Sequence, residues 1–110
     1  MARKPDHLQG SLDLLILKSL EYRPNHGFGI TLHIETVSEG LLNVEEGSLY
    51  PALHRLERDG LIAGEWKVTE NQRRARVYSI TRDGKKRLAE ATDNWKNVNR
   101  GVARMLRFSE

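Results

Sequence analysis

The spacing of apolar residues changes period twice along this chain, from helical to alternating and back to helical, and that order admits few folds. Leu12, Leu15, Ile16, Ser19 and Leu20 share one helical face, widened by Leu14 and Leu17, so LDLLILKSLEYR reads as a mostly buried first helix. Ser11 stands at its N-cap position, Asp13 suits the positive end of the helix dipole, and the turn residues of RPNHG end it near Tyr22. A second helix is expected over residues 27–38, with Ile30, Ile34, Val37 and Leu41 at helical spacing and Gly40 marking its end. After the connection LLNV, Leu49, Leu53 and Leu56 (i, i+4, i+7) form the stripe of a third helix that Gly60 stops. The period then becomes 2. Ile62, Trp66 and Val68 alternate with Ala63, Glu65 and Lys67, and Tyr78 and Ile80 alternate with Val77 and Ser79. Two strands around the polar tip TENQRR make a β-hairpin, with Trp66 expected to pack. Thr81 then caps a long last helix. Its Leu88, Ala91, Trp95, Val98, Val102 and Met105 are spaced 3, 4, 3, 4, 3, the spacing of a coiled-coil seam. Gly101 weakens that helix by roughly 1 kcal/mol relative to alanine.

The third helix carries a proline near its front, in EGSLYPALHRLERDGLI. If Ser48 is the N-cap, Pro51 falls at the third helical position, where its missing N–H costs no intrahelical bond. If the helix starts near Glu45, Pro51 lies inside it and the Gly47 carbonyl loses its partner, a loss eased by the absent side chain at Gly47. The earlier start is the expected one, because it gives the helix an extra turn of reach.

Three helices, a two-stranded wing and a long helix make a mainly α fold with a small β-hairpin: a winged helix-turn-helix followed by a C-terminal dimerisation helix. The expected division is an N-terminal arm over residues 1–9, a DNA-binding domain over 10–81 and the dimerisation helix over 82–110. A length of 110 residues suits one small domain, and a seam shared with a second copy would add the core area that a chain this small lacks.

Charge points the same way. The net charge is only +3, but residues 73–87 carry Arg73, Arg74, Arg76, Arg82, Lys85, Lys86 and Arg87 against the single acid Asp83. A basic patch of this kind favours a polyanion. With no cysteine there is no disulfide framework, thiolate metal site or cysteine nucleophile. His7, His26, His33 and His54 have no metal-ligand spacing, and no P-loop, dinucleotide fingerprint or G-x-S-x-G occurs, so neither catalysis, a metal nor a cofactor is expected. No apolar h-region opens the sequence and no stretch is long enough to span a membrane, so a soluble cytoplasmic protein is expected.

A third helix of this size fits the major groove, about 12 Å wide. Ser48, Tyr50, Pro51, His54 and Arg55 are its candidates for DNA contact: a hydroxyl and a phenol can reach phosphates or base edges, and the ring can pack on a thymine methyl. Arg58 is also exposed on this pattern, and Arg55 and Arg58 could instead pair with Glu57 and Asp59. In the wing, Gln72, Arg73 and Arg74 form the tip, where arginine suits a narrow minor groove, and Arg76 is placed to meet phosphate. Arg3 and Lys4 would make a basic arm. Trp95 would lie in the dimer core, or line an intersubunit pocket for a flat ligand.

Four blocks, LQGSLDLLILKSL, HGFGI, GSLYPALHRLERDGLI and RVYSITRDGKKRL, occur in an order and spacing that resemble the PadR family of bacterial transcriptional regulators over roughly residues 8–88. The resemblance implies a winged helix-turn-helix with a C-terminal dimerisation helix, repression through palindromic operators bound by homodimers, and in some small members release from DNA by an aromatic or drug-like ligand. It implies DNA reading by Tyr50 and its neighbours and wing contacts by Arg73, Arg74 and Arg76. Two departures stand out: Phe28 replaces the tyrosine common in the family's second block, and TENQRRAR has no glycine or proline at the wing tip. The single helix after the wing is like the smaller subgroup. The competing reading from another class is a winged-helix module that docks a protein partner without recognising DNA, its basic patch incidental.

Overall fold

The computed structural model describes residues 11–110, so the expected arm over 1–9, with Arg3 and Lys4, lies outside the described residues. Helix α1 (Leu12–Tyr22) is followed by a two-residue strand β1 (Asn25–His26), helices α2 (Gly27–Val37) and α3 (Glu46–Arg58), strands β2 (Ile62–Val68) and β3 (Arg74–Ile80), and helix α4 (Arg82–Arg107). The strands form one antiparallel sheet in the order β1-β3-β2.

Leu12, Ile16, Leu17 and Leu20 of α1, Ile30 and Ile34 of α2, and Leu49, Ala52, Leu53 and Leu56 of α3 meet in a single core closed by Leu61, Ile62, Tyr78 and Leu88. Ser11 precedes α1, but its side chain makes no cap bond: its backbone is already near-helical, at φ −114° and ψ −12°, and its carbonyl accepts from the Leu15 amide. The apolar spacing expected of α2 stops short. Ile30 and Ile34 are buried, whereas Val37 is exposed and Leu41 lies beyond the helix in solvent. The reason is a Schellman turn, in which the Glu39 amide bonds the Thr36 carbonyl and the Gly40 amide bonds the Glu35 carbonyl, with Glu39 (φ 53°) and Gly40 (φ 80°) both left-handed. The same closure ends α3, where Gly60 (φ 76°) bonds Glu57 and Leu61 bonds Leu56.

Helix α3 starts at Glu46, with Glu45 at the N-cap, so Pro51 lies in its second turn. The hairpin turns over a three-residue loop: Thr69 and Arg73 bond across it, the Gln72 amide bonds the Thr69 carbonyl, and Gln72 (φ 61°) takes the left-handed position that glycine usually fills. This is how a tip without glycine or proline closes.

The start of α4 is fixed by three contacts. The Thr81 hydroxyl donates to the Gly60 carbonyl at 2.7 Å and accepts from the Gly84 amide at 3.0 Å, and the Thr81 amide bonds the Leu61 carbonyl at 3.1 Å. Gly84 is required here, because an added Cβ would strike the Leu61 carbonyl and come within 2.7 Å of Ile80 Cγ1. Helix α4 runs through Gly101 without a break, about 39 Å at 1.5 Å per residue.

Candidate nucleic-acid interface

The buried stripe of α3 leaves the opposite face to Gly47, Pro51, His54 and Arg58, which follow one another at intervals of four, three and four residues and are all exposed. Ser48 and Arg55 flank this face towards α1, where the Arg55 guanidinium pairs with the Asp13 carboxylate. Tyr50 flanks it on the other side. Its ring leans on the first residue of α2, so closely that a Cβ on Gly27 would lie 3.0 Å from the Tyr50 hydroxyl. Of the local ion pairs the sequence offered, Arg58–Asp59 forms at 3.3 Å. Glu57 and Arg55 reach distant partners instead.

Arg73 and Arg74 stand exposed at the wing, and among the described residues neither has a carboxylate within 4.0 Å. Gln72 is exposed beside them at the turn. Arg76 is placed differently. Its guanidinium bonds the Glu57 carboxylate of α3 at 2.6 Å, so its charge is spent inside the molecule. Tyr78, behind this pair, is buried; burial first, and the neighbouring Glu57 carboxylate second, push its phenol above the usual value, against the opposing effect of Arg76. Trp66 does not pack into the core. It is 57% exposed, with Arg74 and Arg76 over its ring. Between the wing and the start of α2 lies a cleft of about 490 Å³, bordered by His26, Phe28, Tyr50, Trp66, Arg73 and Arg74.

The expected seam divides in two. Leu88 is 4% exposed and belongs to the chain's own core, and Ala91 is half-buried. Trp95 (47% exposed), Val98, Val102 and Met105 (74% exposed) continue the stripe outward, increasingly open to solvent among the described residues. Beside Trp95, an apolar groove of about 800 Å³ runs between α1 and α4, lined by Leu14, Leu15, Leu88, Ala89 and Thr92.

An exposed helix face set beside a cationic hairpin is how a winged helix meets a duplex. Residues 16–90 match the model of the transcriptional regulator PadR-like family. The chain belongs to that family. Among solved structures it is similar to a transcriptional regulator from Clostridium thermocellum (Cth-833), with 26% sequence identity, a TM-score of 0.85, and coverage of 94% of this chain and 100% of that one. It is also similar to a PadR-like transcriptional regulator from Bacillus cereus (BC4206), with 27% identity, a TM-score of 0.79, and coverage of 96% and 100%. The transcriptional regulator Rv3488 of Mycobacterium tuberculosis is 42% identical over 65 residues, 59% of this chain and 57% of that protein. This PadR-like protein is thus a transcriptional regulator of a DNA-binding family and not an enzyme. No helix among its described residues is long and apolar enough to cross a membrane.

Sequence reasoning missed several residues of this surface. Glu57 and Asp13 find their partners 19 and 42 residues away, beyond any local pattern. Arg58, exposed as its helical spacing implies, falls on the centre line of the exposed face while Arg55 falls on its flank. The strand at Asn25–His26 is two polar residues with no alternation, and only its pairing with Tyr78 and Val77 defines it.

Proposed function

We propose that this PadR-like regulator represses transcription in the cytoplasm by binding a palindromic operator as a homodimer, with release by a small aromatic ligand. The observation that carries the reading is the exposed apolar stripe of α4, Trp95, Val98, Val102 and Met105, on the same chain as an exposed α3 face and an Arg73–Arg74 wing tip that pairs with no carboxylate among the described residues. Pairing two such stripes removes the apolar surface from water and sets two α3 helices on one side of the dimer. Two half-sites about 34–36 Å apart then fall on one face of a duplex. In this arrangement Ser48, Tyr50, Pro51, His54 and Arg58 face base edges and phosphates, Arg73 and Arg74 follow the adjacent backbone and minor groove, and Arg55 joins them when it exchanges Asp13 for phosphate.

Trp95 borders the α1–α4 groove, which suits a flat apolar ligand. Quenching of tryptophan emission by planar aromatic compounds, abolished in Trp95→Phe, is the expected sign of that site; emission unchanged by every compound would remove the ligand from the account.

The central experiment pairs oligomeric state with DNA affinity. Trp95→Asp is expected to sediment as a monomer and to lose operator binding in the same step. A variant that stays dimeric would show that the stripe is not the seam. A salt titration of the wild type separates this reading from a protein-docking module: log K should fall by about 0.9 per phosphate neutralised for each log unit of salt, whereas a docking module shows no duplex affinity even at low salt.

A further inference from the structure

The inner face of the wing holds a group that DNA-reading segments alone do not explain. Trp66 lies on the same sheet face as Ile62 and Tyr78, which enter the core, yet its own indole stays in solvent. It pairs across the sheet with Arg76 and lies diagonal to Arg74. The Arg74 guanidinium carbon sits 5.1 Å from the indole centroid and that of Arg76 5.7 Å, both within the range of a cation–π contact.

Two cations at one ring repel each other. Glu57 resolves the conflict, because its carboxylate neutralises Arg76 at 2.6 Å and leaves Arg74, among the described residues, as the uncompensated charge on the indole. Gly64, the neighbour of Trp66 on this face, makes room for the arrangement: a Cβ there would lie 2.9 Å from Arg76 Nε. A continuous set of contacts therefore runs from α3 through Glu57, Arg76 and Trp66 to Arg74 at the wing. A free arginine gives up much rotamer freedom when it binds phosphate, and one already stacked gives up less.

We propose that Trp66 is a positioning residue for DNA binding, its indole holding Arg74 towards the DNA backbone while the Glu57–Arg76 pair fixes the indole relative to α3. The inference rests on the DNA-binding reading above. It assigns different work to neighbouring arginines: Arg74 meets DNA, and Arg76 orients the wing.

The test is a double-mutant cycle on the full-length protein, using a labelled mixed-sequence 30-base-pair duplex at two salt concentrations, with thermal melts as a control on folding. Trp66→Leu is expected to weaken binding by about two- to fivefold and to lower the salt slope towards one fewer phosphate. Arg74→Ala should do the same, and Trp66→Leu should then add almost nothing in the Arg74→Ala background. Trp66→Phe, which keeps an aromatic face, should recover part of the loss. Trp66→Thr, a strong strand former, repeats the cycle if the leucine variant melts early. Unchanged affinity in Trp66→Leu, or losses that multiply with Arg74→Ala, would overturn the inference and leave the DNA-binding reading standing. A wild type that binds no duplex at low salt would overturn both.

Discussion

Replacing Pro51 by alanine should stabilise the protein while impairing its reading of DNA. In a helix interior proline is about 3 kcal/mol less favourable than alanine, through the lost N–H and the clash with the carbonyl four residues back. Helix α3 begins at Glu46, so Pro51 is inside it and the deprived carbonyl is that of Gly47. Gly47 is exposed, with open space where a Cβ would stand, so water has access to that carbonyl. Hydration of the deprived carbonyl shrinks the penalty, leaving a gain of about 1–2 kcal/mol for Pro51→Ala. At roughly 4–8 °C per kcal/mol for a domain of this size, the melting temperature should rise visibly. Urea unfolding at fixed protomer concentration is the cleaner assay, since a higher midpoint with an unchanged m value reports stability alone. In parallel, operator affinity should fall, because Pro51 lies on the line of Gly47, His54 and Arg58 and sets the local path of that face. An unchanged or lower midpoint would refute the helical accounting. Higher stability with unaltered affinity and specificity would reduce the proline to a tolerated accident.

Other perturbations test the frame around α3. Gly84→Ala should cost about 2–3 kcal/mol in denaturant unfolding, since the methyl group is driven against the Leu61 carbonyl and Ile80. Gln72→Gly should stabilise by about 0.5–1 kcal/mol, the left-handed penalty at φ 61° less the added freedom of glycine in the unfolded chain, read by the same unfolding curves. Tyr78 has a folded pKa raised above its unfolded value, so its contribution is full below the unfolded value near about 10 and is lost as pH rises through the folded one. Stability of the wild type should therefore decline in that alkaline window more steeply than that of Tyr78→Phe.

Periodicity made most of the architecture legible. The stripe Leu49, Leu53 and Leu56, the alternation through the hairpin and the cap at Thr81 are local signals, and each produces the element it implies. What stayed hidden depends on tertiary contact. The seam spacing of α4 starts at Leu88, but a period cannot say that this leucine turns into its own core while Trp95 does not. His26 caps α2 by accepting the Gly29 amide at Nδ1, an office more often held by serine, threonine, asparagine or aspartate. Trp66 looked like packing because it alternates with polar residues, yet the strand has already left the core at that point and the same alternation delivers it to two arginines. Arg76 likewise reads as one of a row of free cations until Glu57 is seen beside it.

The central claim is a symmetric dimer that reads DNA with paired α3 helices, and selection of bound sequences from random duplex DNA tests it most directly. The account predicts an inverted repeat whose half-site centres lie about 10–10.5 base pairs, or a multiple of that turn, apart. An enriched site without dyad symmetry, or no enrichment from a pool bound at low salt, would contradict it.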